Sequence, residues 1–190
     1  RAGALVSSVG AFREYQIKEA WTWELQALTR ARFIAGSPSV AGHFKRIRQE
    51  VLCQPRDAGA LAAELLEMRR RMSREHDAGV HADAAAAPKH RPGGLVDIEF
   101  VAQLGVLGSA HLYPRLIQAT GTLAQLQELE AIGWLDAGES GVLAETLYRL
   151  RCARMLQVLL PRAQEPPQDT SAAAEIVAAR LAAGGGNAAA

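Results

Sequence analysis

The segment from Gly94 to His111 constrains this chain more than any other. Leu95, Ile98, Val101, Ala102, Leu104, Val106 and Leu107 cover most of the circumference of a helix drawn through it. A helix that is apolar nearly all round has no face to give to water, so other helices must surround it. Gly105 and Gly108 interrupt the run. Each costs about 1 kcal/mol relative to alanine in a helix interior, a cost that close packing of a neighbour would offset. The rest of the chain therefore has to supply a bundle around this segment.

The residues leading into it are Lys89-His90-Arg91-Pro92-Gly93-Gly94. A helix N-terminus carries unpaired N–H groups and a partial positive charge, which favour an anion. Lys89, Arg91, Gly93 and Gly94 are thus candidates for holding a nucleotide's phosphates. The same residues also fit a plainer role, in which the glycines allow tight packing and the charges are solvated. No GxxxxGK or GxGxxG pattern decides between the two.

Asp97 and Glu99 are the carboxylates of the apolar segment. Two residues apart, they point to nearly opposite sides and cannot share one metal ion. Glu99 and Gln103, four apart, do share a face. Each carboxylate is expected to meet a buried arginine from the first helices, with Arg30 and Arg32 as the candidates. Asp97, Glu99 and Gln103 are accordingly given architectural rather than catalytic roles.

Local signals place the other helices. Ser8 caps a helix from Val9, and Phe12, Tyr15, Glu19, Trp23, Ala27 and Arg30 continue one stripe, with a bend or restart near Ala20-Trp21. Phe33-Ile34-Ala35 allows a single short strand ended by Gly36. Ser37-Pro38 is a start signal, followed by Val40, Phe44, Ile47 and Val51 on one face. Asp57 caps a helix striped by Leu61, Leu65, Met68 and Met72, whose other face carries Arg69, Arg70, Arg71 and Arg74, a cluster that fits a nucleotide or acidic partner and, more commonly, a solvated face. Residues 76–88 lack periodicity and read as a flexible loop. Thr122 with Gln125, and Asp136 with Glu139, form the pattern of two capping boxes. Gly133 fits the end of the helix between them, with Trp134 folding back. Leu143, Leu147, Leu150, Met155 and Leu156 follow, and Pro161 closes that helix. A Pro/Gln-rich linker over 162–170 leads to a short helix capped by Ser171, then a fraying tail. The predicted fold is all-α, a bundle of about seven helices with at most one short strand near residues 33–35.

The 190 residues carry a formal net charge of +1, which gives no bulk electrostatic case for nucleic acid or an anionic membrane. No run reaches the roughly 18 apolar residues of a membrane span. Cys53 and Cys152 suggest reduced thiols and a cytoplasmic setting. The five histidines show no zinc spacing, and no metal site is expected. The start at Arg1, with neither methionine nor signal peptide, suggests an internal cut.

Two stretches carry a resemblance. Ala20-Trp21-Thr22-Trp23-Glu24-Leu25-Gln26-Ala27-Leu28-Thr29-Arg30-Ala31-Arg32, closing with Gly36, resembles a signature of bacterial glutamine synthetase adenylyltransferase. So does Lys89 to Gln103, centred on Pro92-Gly93-Gly94-Leu95-Val96-Asp97-Ile98-Glu99-Phe100. That family's enzymes are two-headed, and each half joins a nucleotidyltransferase domain to a helical bundle. The Asp97-Ile98-Glu99-Phe100 form is similar to the adenylylating, C-terminal half. The resemblance implies transfer of AMP from ATP, with Mg²⁺, to a tyrosine of glutamine synthetase, under control of the PII signalling protein. It implies further that the metal-binding aspartates lie upstream of Arg1, so that no catalytic residue belongs to this chain and the isolated chain is inactive. Glu24, Arg30 and Arg32 of the first motif take supporting roles. Residues 1–36 then correspond to the end of the nucleotidyltransferase domain, 37–161 to the helical bundle, and 162–190 to a linker, short helix and tail. The chain departs from the family pattern in the Ala-rich stretch before Lys89 and at Ala153-Arg154, where a Glu-His pair is usual. The alternative is a non-catalytic helical module that binds glutamine synthetase or PII.

Overall fold

A computed structural model describes residues 6–78, 91–160 and 169–184. Eight α-helices and one 3-10 helix make up the regular structure among them. In chain order they are α1 (Val9–Lys18), α2 (Thr22–Arg30), α3 (Pro38–Leu52), α4 (Ala58–Ala78), α5 (Leu95–Ser109), the 3-10 helix (Pro114–Gln118), α6 (Thr122–Ala131), α7 (Ala137–Leu159) and α8 (Ser171–Ala182). No strand occurs among the described residues, and 31–34 are irregular.

The first stripe is two helices, restarting where expected near Ala20-Trp21. Ser8 caps α1 by accepting from the Ala11 amide at 3.1 Å. The chain then breaks at Ala20 and restarts, with the Glu24 carboxylate reaching back to the Trp21 amide at 2.9 Å. The break rotates the second helix. Trp23, Ala27 and Arg30, expected to face inward, are exposed, and α2 buries Gln26, Leu28 and Thr29 instead. Other local signals hold. Ser37 and Pro38 open α3, and Asp57 accepts from Ala60 at the start of α4. Asp136 and Glu139 form the reciprocal box at α7. Gly133 adopts φ 75°, with its amide on Glu130 O and the Trp134 amide on Leu129 O, the two bonds of a Schellman end.

Three local expectations need correction. Gly121, not Thr122, is the N-cap of α6, and Gln125 is buried, donating to Ala119 O at 3.2 Å and Thr29 O at 3.4 Å. Thr170, not Ser171, precedes α8. The helix of α4 continues through Ala78, so His76 belongs to it; 79–90, with His81, His90 and Lys89, lie outside the described residues.

Helix α5 is the axis. It packs against α2, α4, α6, α7, α8 and the 3-10 helix, and every residue from Leu95 to Leu107 except Glu99 is buried. Of its two glycines only Gly105 is there for packing. A Cβ at that position would stand 2.7 Å from both Leu129 methyls and 3.0 Å from the Trp134 ring, whereas nothing lies within 4 Å of one at Gly108. Helix α8 closes the bundle. Ala173, Val177 and Leu181 enter the core, and Arg180 makes a two-pronged ion pair with Glu139 while its guanidinium lies 5.3 Å over the Trp134 ring. Met155 and Leu156, expected to continue the inner stripe of α7, are exposed.

Candidate functional site

The loop Arg91–Gly94 is built from both sides. Gly93 adopts φ 70°, a region glycine enters without steric cost. Its amide donates to Asp97 Oδ2 at 2.8 Å, and the Gly94 amide donates to Arg91 O at 2.9 Å. Helix α8 lies directly against the turn. A Cβ on Gly93 would collide with Thr170 O and stand 2.6 Å from the Ala174 amide nitrogen. The Thr170 hydroxyl donates to Pro92 O at 2.8 Å. The backbone donors of the two glycines are thus spent within the chain, and the one charged side chain of Arg91–Gly94, Arg91, is half-buried.

Asp97 pairs with Arg69 of α4, each side chain 10% exposed. This corrects two expectations. The buried arginine opposite Asp97 comes from α4, and Arg69 is not part of a solvated cluster, although Arg70, Arg71 and Arg74 are exposed. The position of Arg69 on the inner edge of α4, four residues after Leu65, was the signal available for it. Asp97 therefore ties three things together: the guanidinium of α4, the Gly93 turn and the first turn of α5.

On the other side of α5 runs a polar seam with α2. Gln26 donates to Gln103 at 2.7 Å, and one turn on Arg30 meets Glu99 at 2.9 Å. Residues 26 and 30 on one helix, and 99 and 103 on the other, are each four apart, so the pairs stack as two rungs. The spacing of Glu99 and Gln103 was legible, and so was Arg30 as a partner. Arg32 is exposed. A second arginine, Arg151 of α7, stands 3.9 Å from the same Glu99 Oε1 and 3.5 Å from the Thr122 hydroxyl.

The end of α2 is held by Arg48 of α3, which sequence reasoning missed. Its buried guanidinium donates to Leu28 O at 2.9 Å, to Thr29 O at 2.5 Å and to Ile117 O. Burial lowers its pKa from the ordinary arginine value. Glu24, at the other end of α2, also accepts from the Tyr15 hydroxyl at 2.6 Å and raises that phenol's pKa. Burial likewise raises the Cys53 thiol, consistent with a packing residue. Among the described residues no three histidine, cysteine or acidic side chains converge as a metal site would require. No helix among them is long and apolar enough to cross a membrane.

Fold and site define the class first: an all-α domain around a buried, carboxylate-bearing helix, whose residues 59–178 match the family model described as GlnD PII-uridylyltransferase. Residues 1–47 match the model described as glutamate-ammonia ligase adenylyltransferase. Among curated relatives, the bifunctional glutamine synthetase adenylyltransferase/adenylyl-removing enzyme of Aromatoleum aromaticum is 45% identical over 167 residues, covering 84% of this chain and 18% of its own length. Its namesakes in Nitrosomonas europaea and Pseudomonas aeruginosa are 40% and 43% identical, covering 87% and 80% of this chain and 17% and 16% of theirs. The chain belongs to the glutamine synthetase adenylyltransferase family and shares its larger part with the PII-uridylyltransferases. It spans less than a fifth of the length of these relatives.

Proposed function

We propose that this chain is the helical part of an enzyme that transfers AMP from ATP to a tyrosine of glutamine synthetase. The observation that carries the reading is the 45% identity over 167 residues to a relative named for that activity, in a chain that carries both motifs. The division into 1–36, 37–161 and 162–190 belongs to the same proposal, as do cytoplasmic placement and PII as a regulator. In nucleotidyl transfer the protein acts mainly by positioning and charge stabilisation. The bundle supplies the first of these: α5, fixed by Arg69 and α8, is a rigid mount for the loop that carries Lys89 and Arg91. Those two side chains assist the ATP phosphates, while Gly93 and Gly94 shape the turn.

Mg²⁺ does not fit the residues described. Asp97 is committed to Arg69 and the Gly93 amide, and Glu99 lies across the helix on Arg30 and Arg151. The reading therefore places the metal outside the described residues, and it expects the chain on its own to transfer no AMP.

The test is radiolabelled AMP incorporation into glutamine synthetase by the full-length parent. Lys89→Ala with Arg91→Ala should weaken ATP binding or slow transfer at least tenfold, the loss of one charge-assisted hydrogen bond of roughly 1.5–3 kcal/mol, with an unchanged melting temperature. Unchanged affinity and rate would remove the phosphate role of this loop. A parent that never labels glutamine synthetase would remove the function itself.

A further inference from the structure

We propose that Arg30 and Arg151, gathered by Glu99, form a second anion site that takes the phosphate chain of a nucleotide. It lies on the opposite side of α5 from Asp97 and the glycine turn. The choice of a nucleotide as the source of the phosphates rests on the enzymatic reading above; the anion site itself does not.

The ion pairs of the described side chains mostly match one cation to one carboxylate: Arg13 with Glu50, Arg69 with Asp97, Arg115 with Glu128, Arg180 with Glu139. Glu99 takes two arginines from different helices on a single oxygen, at 2.9 and 3.9 Å. The cluster keeps one positive charge in excess. Its carboxylate is 27% exposed, while Arg30 and Arg151 are 40% and 46% exposed, so the guanidiniums open to water while their anchor sits beneath them. Gln26 and Gln103 fix the rung below, and Thr122 flanks Arg151. Pairs this exposed are weak, so a more highly charged anion can recruit both arginines while giving up little. Guanidinium groups present planar donor forks that match phosphate oxygens in pairs. Two such forks around one point suit a chain of linked phosphates better than a single carboxylate.

The experiment is calorimetric titration of the 190-residue chain at ~0.15 M salt, where exposed charges beyond about 8 Å are screened. The probes are inorganic tripolyphosphate, ATP without metal, and a glutamate-rich peptide. Tripolyphosphate and ATP should bind, and in a chain whose loop is first silenced by Lys89→Ala with Arg91→Ala, Arg30→Gln with Arg151→Gln should weaken both at least tenfold. The charge-matched control, Arg13→Gln with Arg74→Gln, should stay within about twofold. If the double variant melts early, Arg151→Gln alone serves, since its loosely held guanidinium carries little of the fold. An unmodified chain that ignores tripolyphosphate, equal losses in variant and control, or a preference for the acidic peptide would each overturn the site. Tripolyphosphate bound here in a parent that labels no glutamine synthetase would sink the enzymatic reading and leave the site standing.

Discussion

The centre of the bundle and its N-terminal corner are built from the same kinds of helix and packed very differently. Helix α5 is buried along nearly its whole length, whereas α1 buries no residue at all. In α3 the contrast appears within one element. Val51 and Ile47 are buried, Phe44 is half-buried, and Val40 near the start is exposed. Phe12 and Phe44 touch only as a loose stack, ring centres 6.3 Å apart, beside an open groove of about 330 Å³ lined also by Gln16, Trp23 and Ala27. Caps and start signals are as good in the corner as in the centre. They decide where helices begin, but long-range burial decides how firmly they are held.

The largest effect should come from cutting the clamp at the centre. Asp97→Ala takes the carboxylate from the buried Arg69 guanidinium, leaving it the Ser73 hydroxyl, and frees the Gly93 amide; removing one partner of a buried ion pair costs about 3–5 kcal/mol. Urea unfolding of the chain measures it. A loss below about 1 kcal/mol would show that the clamp is ornamental and the centre no better tied than the corner.

A matched pair of glycine substitutions sharpens the contrast. Gly105→Ala pushes a methyl into Leu129 and Trp134, and overpacking of this kind costs about 1–3 kcal/mol. Gly42→Ala in α3 meets nothing within 4 Å and should stabilise by about 0.5–1 kcal/mol through helix propensity alone. Opposite signs in thermal melts are the expected outcome; the same sign in both would mean that the two regions are equally packed.

What the sequence disclosed follows the same division. Ser8, Ser37-Pro38, Asp57, Gly133 and the Asp136/Glu139 box are local chemistry, readable within four residues. The all-round apolar pattern of α5 announced its burial, and the spacing of Glu99 and Gln103 announced a shared face. Arg69 and Arg48 were not legible, because nothing in their neighbourhood says which distant carboxylate or carbonyl they will meet. The inward face of α2 was missed for a related reason. The stripe was carried through the break at Ala20, and a break resets the helical phase. Thr122 with Gln125 imitates a capping box, yet Gln125 is drawn inward to the carbonyls of Thr29 and Ala119. The Gly-Gly turn shows the same limit: its residues pointed equally to a ligand and to a neighbour, and the neighbour, α8, lies about eighty residues further along the chain.

Amide hydrogen exchange, resolved by residue, tests the central contrast directly. Amides in the body of α5, from Ile98 to Leu107, should exchange only through global unfolding, at the full free energy measured by urea. Those in α1, from Phe12 to Lys18, should exchange through local opening at a much lower free energy, unchanged by small amounts of urea. Equal protection in the two helices, rising and falling together with denaturant, would contradict it.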